Sequence, residues 1–282
     1  MTTEFLSLRA EGSSIVPFAR AWEFQKLCVE KRVRDEIPDT FLFVEHPPTI
    51  TRGRGLQRSA DRVERAMPLG SVPVGTEYFE IERGGDLTWH GPGQLVIYPI
   101  VKLDGSGFGP FHDVTRFLRK LESCIGRWLR AESGMKAFSK PGAAGIWISC
   151  ADDRARAEDR ASDLDAFRAE VHESELDGPR AEANARKIAS IGIAVRKWVT
   201  YHGIGLNLAN RLEPYHDISP CGFDPDVMTT LERESDSFRK QGWSDATRSQ
   251  VEDSIARELA KASRSSDQLE NFPPLRVDVR EV

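Results

Sequence analysis

Apolar positions recur along this chain in two rhythms, one of three to four residues and one of two, and the switches between them mark its elements. "PFARAWEFQKLCVEKRVRDEI" predicts a helix opening at Pro17, with Phe18, Trp22 and the run from Phe24 to Cys28 supplying its apolar positions. "TFLFVEHPPTIT" predicts a short buried strand stopped by Pro47 and Pro48, and "SVPVG", "EYFEIERGG" and "GQLVIYPIVKL" predict three more. The clearest helical pattern lies in "FHDVTRFLRKLESCIGRWLRAES". There Val114, Phe117, Leu118, Leu121, Ile125, Trp128 and Leu129 form one buried stripe. Cys124 borders that stripe and Cys28 belongs to the apolar set of the first helix, so both are expected to pack in the core. "AAGIWISC", "KIASIGIAVRKW" and "VTYHGIGLNL" read as strands, "SDATRSQVEDSIARELAKAS" as a helix capped by Ser244, and "NFPPLRVDVREV" as an extended tail. Helices and strands mix without regular alternation. That pattern predicts an α+β, mixed-sheet α/β fold and not a doubly wound parallel sheet.

One stretch breaks the rhythm. Residues 151–185 are dense in alanine and in charges of both signs and nearly lack aromatics, which fits a solvated helix or a disordered excursion inserted within a domain. The whole chain of 282 residues has room for one large domain or two small ones, and 39% hydrophobic with 29% charged residues is the composition of a soluble globular protein. No apolar run reaches the roughly 18 residues of a membrane helix. "MTTEFLSLRAEGSS" has neither the basic start nor the apolar stretch of a signal peptide, so a cytoplasmic location is expected. A net charge of −5 argues against nucleic acid as the main partner. The four cysteines, Cys28, Cys124, Cys150 and Cys221, are widely spaced, show no paired ligand spacing, and read as reduced thiols.

Candidate chemistry concentrates in three places. "ERGGDLTWHGPGQLVIYPI" sets Arg83 and His90, groups able to bind an anion or an acyl carbonyl, around glycines that let a ligand approach the main chain; two ordinary hairpin turns would read the same way. Lys187 opens a strand of small and apolar residues. It either snorkels to the surface or, drawn out of water, works as an acid or base. Cys221, in "YHDISPCGFD", sits between Pro220 and Gly222, an unusual place for a core cysteine, and is a reactive thiol, a metal ligand or an ordinary loop residue. His90, His202, His216 and Cys221 have metal-ligand chemistry, but their spacings match no zinc pattern. "TRGRGLQRS" could cradle a phosphate or be an exposed basic loop; no Walker loop and no GxGxxG opening a helix are present.

Taken together, "RGGDLTWHGPGQLVIY", "VEHPPTITRGRG", "KIASIGIAVRKWVTYHGIGLNL" and "ISPCG", in that order, resemble the lipoate-protein octanoyltransferase family over about residues 15–225. The resemblance implies a single catalytic domain over residues 1–240, interrupted by the insertion at about 151–185, with a C-terminal helix and tail at 241–282. It implies a fold similar to the catalytic domain of biotin and lipoate ligases. It also implies transfer of an octanoyl (or lipoyl) group from acyl carrier protein to a lysine of lipoyl domains, in 2-oxoacid dehydrogenase complexes and the glycine-cleavage H protein, without a cofactor. By motif, Cys221 is similar to the family's acylated nucleophile and Lys187 to the residue that lowers its pKa. The implied substrate-binding stretches are Arg83, Gly84, Gly85, Asp86, Leu87, Thr88, Trp89 and His90; Ser190, Ile191 and Gly192; and Gly203, Ile204 and Gly205, the last standing where an alanine is expected. The main alternative is an ATP-dependent lipoate or octanoate ligase of the same fold; a thioesterase, a non-catalytic module and an amidotransferase are the others weighed.

Overall fold

The computed structural model describes residues 3–55, 75–140, 142–149, 185–218, 224–263 and 274–279. All of the predicted "SVPVG" strand but Gly75, all of the charged insertion but its last residue, Cys150 and Cys221 fall outside those residues.

Eleven strands and five α-helices are described. In chain order they are β1 (Thr3–Arg9), α1 (Phe18–Val33), β2 (Asp39–Val44), β3 (Thr49–Arg52), β4 (Glu77–Glu80), β5 (Leu87–His90), β6 (Gln94–Ile100), α2 (Val114–Ser133), β7 (Ala137–Lys140), β8 (Ala143–Ile148), β9 (Arg186–Arg196), β10 (Val199–Asn207), α3 (Leu231–Glu234), α4 (Asp236–Gln241), α5 (Asp245–Ala262) and β11 (Leu275–Asp278). Eight strands form one sheet in the order β11-β1-β2-β6-β10-β9-β8-β7, and β4-β3-β5 form a smaller sheet. β1 runs parallel to both β11 and β2, and every other pairing in the large sheet is antiparallel. This is the mixed α+β architecture that the pattern implies.

The two-residue period of the central strands places a core on each face. Phe41 and Phe43 of β2 and Leu95 and Ile97 of β6 join the stripe of α2 (Phe117, Leu121, Ile125, Leu129) and Ile255 and Leu259 of α5. The alternate residues Leu42, Val44, Val96 and Ile100 pack instead with Ala21, Cys28 and Val29 of α1. β2 and β6 are therefore buried on both faces and read as continuous apolar runs. α2 starts where Asp113 accepts the Arg116 N–H at 2.8 Å and stops at Gly134 in the left-handed conformation. Ser244 caps α5 as its sequence predicts, accepting the Thr247 N–H at 3.2 Å.

The described residues of 241–282 add to the same body. α5 packs in the principal core, and residues 275–278 of the expected extended tail form β11 against β1. A buried ion network secures α5. Arg248 Nη1 lies 3.2 Å from Glu45 Oε2 and donates to Ser14 O at 2.6 Å, while its Nε donates to Glu252 Oε1 at 2.6 Å. Glu45 Oε1 accepts from Trp243 Nε1 at 3.0 Å and from the Gly93 N–H at 2.7 Å. Removing one partner of such a set strands buried charge. Arg248→Met should therefore lower stability by about 3–5 kcal/mol in urea unfolding; a loss below about 1 kcal/mol would show that water reaches the two carboxylates.

Candidate active site

A cavity of about 540 Å³ lies along β9 and β10 and beneath the loop that precedes β5. Its floor follows from small residues. Gly192 pairs with Gly203 and Ser190 with Gly205, so four residues with little or no side chain share one patch of sheet. A Cβ on Gly192 would meet Gly84 O at 2.6 Å, so this position must be glycine for the 83–85 loop to close down on it, where Gly84 N–H donates to Ile193 O at 3.0 Å. Ile191 and Ile204 complete the apolar lining.

Lys187 lies at one end of this floor. Contrary to the snorkelling alternative, it is only 2% exposed. A bulge explains its direction. The β8–β9 register slips between Ile146–Ala189 and Trp147–Lys187, so Ile188 is the extra residue. Ile188 and Ala189 both enter the core, which turns Lys187 to the cavity face with Ser190 and Gly192. Its Nζ stands 5.7 Å from the centroid of the Trp147 ring. Gly145, with φ at 134°, makes room: a Cβ there would meet Ala189 O at 2.3 Å and Lys187 Cε at 2.7 Å. The Lys187 carbonyl accepts the Thr229 N–H at 3.0 Å. Ile218 and Met228, on either side of residues 219–223 in sequence, belong to one apolar cluster, and Met228 forms a β-bridge to Lys187.

The stretch from Arg83 to His90 divides between two surroundings. Arg83, Gly84, Gly85, Asp86, Thr88 and His90 line the cavity, but β5 alternates, and Leu87 and Trp89 turn the other way into a cluster with Ile50, Leu212 and Tyr215. Arg83 is nearly buried and holds the loop. Its Nη2 donates to Thr51 O at 2.6 Å, and its Nη1 donates to Gly84 O at 3.0 Å. Of the other histidines considered, His202 lines the cavity and His216 lies exposed beside Asp226.

A second ring of buried polar groups orients this wall; the sequence reading singled out His90 and His202 in it, but not Gln94, Asn207, His46 or Glu82. His90 Nδ1 lies 2.7 Å from Gln94 Oε1, which can only accept, so Nδ1 carries the proton. The Gln94 amide nitrogen in turn donates to Asn207 Oδ1 at 2.9 Å. Likewise His46 Nδ1 must donate to Val16 O at 2.8 Å, leaving Nε2 to accept from the hydroxyl of Tyr98 at 2.7 Å; Tyr98 itself lines the cavity. His202 Nε2 approaches Glu82 Oε2 at 3.6 Å, longer than a hydrogen bond, and burial pushes the imidazole's pKa down. The signal for part of this ring was present in "VEHPP", where a glutamate and a histidine directly follow the apolar run Phe41–Val44.

Two of the four thiols are described, and both are core groups. Burial raises Cys28 to about 12 and pushes Cys124 up as well, so neither is a nucleophile near neutral pH.

Residues 17–260 match the lipoyl protein ligase A/B catalytic domain. The chain belongs to that family. It is 35% identical over 225 residues to the octanoyltransferase of Thermobifida fusca, covering 80% of this chain and 78% of that protein. It is 34% identical over 221 residues to the octanoyltransferase of Rubrobacter xylanophilus, covering 78% of this chain and 80% of that one. Among solved structures, a bi-partite lipoate protein ligase from Thermoplasma acidophilum superposes with a TM-score of 0.56 at 13% identity, over 100% of this chain and 91% of that chain. A lipoate-protein ligase A bound with ATP gives 0.52 at 14%, over 100% and 94%. At such identities these structures establish the shared fold.

Burial holds both site-wall imidazoles neutral, His46 at about 4 and His90 at about 3 against an ordinary 6.5. A depressed histidine favours the folded state fully above its unfolded pKa, and that contribution is lost as pH falls through the window toward the folded value. Each should therefore remove up to about 1.4 kcal/mol per pH unit below about pH 6.5. Urea unfolding at pH 7, 6 and 5 checks this: the wild type should lose stability more steeply than His90→Gln. Equal slopes would show that His90 is protonated without resistance.

Proposed function

We propose that this chain transfers an octanoyl group from acyl carrier protein to a lysine of a lipoyl domain, through a thioester on Cys221. The observation that carries the reading is the buried Lys187. It is aimed into a largely apolar cavity by a strand bulge and joined by backbone contacts to the segment that follows Cys221. Support also comes from the relatives named octanoyltransferase.

The chemistry runs in two displacements. The Cys221 thiolate attacks the donor's thioester carbonyl, the donor C–S bond breaks, and the donor thiol leaves with a proton. The acceptor amine then attacks the acyl-cysteine carbonyl, an amide bond forms, and the Cys221 sulfur departs. A lysine ammonium beside the thiol favours the thiolate. The same group, once deprotonated, takes the proton that the attacking amine must lose. Exchange of one thioester for another is nearly balanced, and amide formation makes the second half favourable, so neither ATP nor a cofactor is needed. The acyl chain lies over the Ser190, Ile191, Gly192 and Gly203, Ile204, Gly205 floor, walled by Arg83 to Asp86, Thr88 and His90. Leu87 and Trp89 act through packing beneath that wall. The acceptors are lipoyl domains of 2-oxoacid dehydrogenase complexes and the glycine-cleavage H protein. The setting is cytoplasmic, where thiols stay reduced; no described helix is long and apolar enough to cross a membrane.

Intact mass after incubation with octanoyl-acyl carrier protein, without acceptor or ATP, tests the reading. An octanoyl increment should map to Cys221, be discharged by an added lipoyl domain, and be absent from Cys221→Ala. Lys187→Ala should slow transfer by about 10²-fold or more. Modification that requires ATP and leaves Cys221 bare would make the chain a ligase instead.

A further inference from the structure

Opposite Pro99 the large sheet is interrupted. Ile204 faces Ile97 on β6, and beyond the gap Val199 faces Lys102 in the same register, which sets His202 directly opposite Pro99. Thr200, two residues back, donates its N–H to Val101 O at 2.9 Å, so His202 and Pro99 hold the next hydrogen-bonded pair position. Pro99 has no N–H for that pair, and a proline inside a central strand costs a ladder bond. The His202 N–H leaves the ladder for Gln25 Oε1 on α1, at 2.9 Å, and the residue takes a φ of 56°, in the left-handed region. Regular alternation would send its ring into the core with Ile204 and Leu206. The turned backbone brings it to the cavity beside Gly203 instead.

The imidazole arrives there without partners. His202 is 1% exposed, and neither Nδ1 nor Nε2 has a hydrogen bond among the described residues. Glu82 Oε2, 3.6 Å from Nε2, has none either. Strained backbone and an unpaired buried ring each cost stability, and together on one residue they call for a function. The nearby carboxylate favours the tautomer with the proton on Nε2, which leaves Nδ1 as an acceptor.

His202 also stands at a set distance from the reacting end. The Lys187 side chain leans over Gly145, where a Cβ would meet Lys187 Cε at 2.7 Å, and Gly145 pairs with Ser190. His202 pairs with Ile193, three residues further along β9, about 10 Å away at roughly 3.3 Å per residue. An extended chain advances about 1.2 Å per bond, so the seven bonds of an octanoyl group span about 8 Å. Between the two ends lie Ser190, Gly192, Gly203 and Gly205, whose small or absent side chains leave the path open. The last carbon of an octanoyl group whose carbonyl meets Lys187 thus comes to rest beside the imidazole, and a longer chain would run onto it.

We infer that His202 is a specificity-determining residue: its Nδ1 accepts a hydroxyl carried on the last carbon of a medium-chain acyl group, and its unpaired ring turns away longer alkyl chains. This rests on the transfer reaction proposed above. A hydroxyl gives the ring the hydrogen bond it lacks. Further methylenes would press apolar surface onto it and displace any water that supplies that bond.

The test gives the full chain three donors, octanoyl-, 8-hydroxyoctanoyl- and decanoyl-acyl carrier protein, with a lipoyl domain as acceptor, and reads kcat/KM for each. The wild type should use 8-hydroxyoctanoyl at least as well as octanoyl, and decanoyl about 10-fold less well, the scale of one buried polar group left unpaired. His202→Leu should shift the preference toward the longer donor, raising the ratio of decanoyl to 8-hydroxyoctanoyl about 10-fold or more. His202→Asn suits the left-handed conformation, keeps a hydrogen-bonding group and should keep the wild-type order. A wild type that uses 8-hydroxyoctanoyl about 10-fold less well than octanoyl would overturn the inference without any variant. So would an equal fall for all three donors in His202→Leu, the mark of a residue that only supports the fold. Absence of octanoyl transfer by the wild type would overturn the reaction itself, whereas failure with the hydroxylated donor alone overturns only the role of His202.

Discussion

Glu45 is the carboxylate on which distant parts of the molecule converge. It leaves the end of β2 with both oxygens buried, one shared by Trp243 and the Gly93 N–H, the other facing Arg248. Gly93 belongs to the turn between His90 and Gln94, so one side chain ties the wall of the cavity to the C-terminal helix. Charges taken this far from water rely on their partners, though Arg248 Nη2 has no hydrogen bond among the described residues. The arrangement thus couples the α2–α5 side of the core to the position of His90. A hydrophobic replacement could match its stability, but it would not hold a backbone N–H at a fixed distance.

The cavity depends on two departures from regular sheet geometry. The single-residue bulge at Ile188 converts a lysine that would face the core into one that faces the ligand space. The run of glycine and serine opposite removes the side chains that would otherwise fill that space. Shape therefore comes mostly from main chain, and polarity from a few buried groups whose proton positions are set by fixed acceptors such as Val16 O and Gln94 Oε1. Neutral imidazoles suit such a lining, because a buried charged histidine would oppose an apolar acyl chain.

Much of this was readable in advance where local chemistry and tertiary packing agree. The stripe of α2, the cap at Ser244, and the apolar runs of β2 and β6 follow from period and composition. β1, β3, β5 and β7 were not recognised, because four or seven mixed residues acquire their identity from a neighbouring strand. The tail became β11 for the same reason, through pairing with β1. At the site, the density of unusual residues from Arg83 to His90 was visible, but which of them face the cavity was not: Leu87 and Trp89 separate from Thr88 and His90 only once β5 has a partner and a register. Arg248 and Glu252 look like an ordinary surface pair one helical turn apart, and nothing local in the sequence shows that both are buried.

The pairing of β11 with β1 also constrains how the protein is made. Leu6 takes Leu275 as its parallel neighbour, and Thr3 reaches Ser263 across 260 residues of sequence. A ribosome releases β1 long before β11, so in that interval one side of β1 presents unpaired N–H and C=O groups, the kind of edge that recruits strands from other chains. Contacts of such separation also form slowly, because the loop they close spans 260 residues. For this fold, the interval between emergence of β1 and arrival of β11 is the time in which a nascent chain needs shelter from its neighbours.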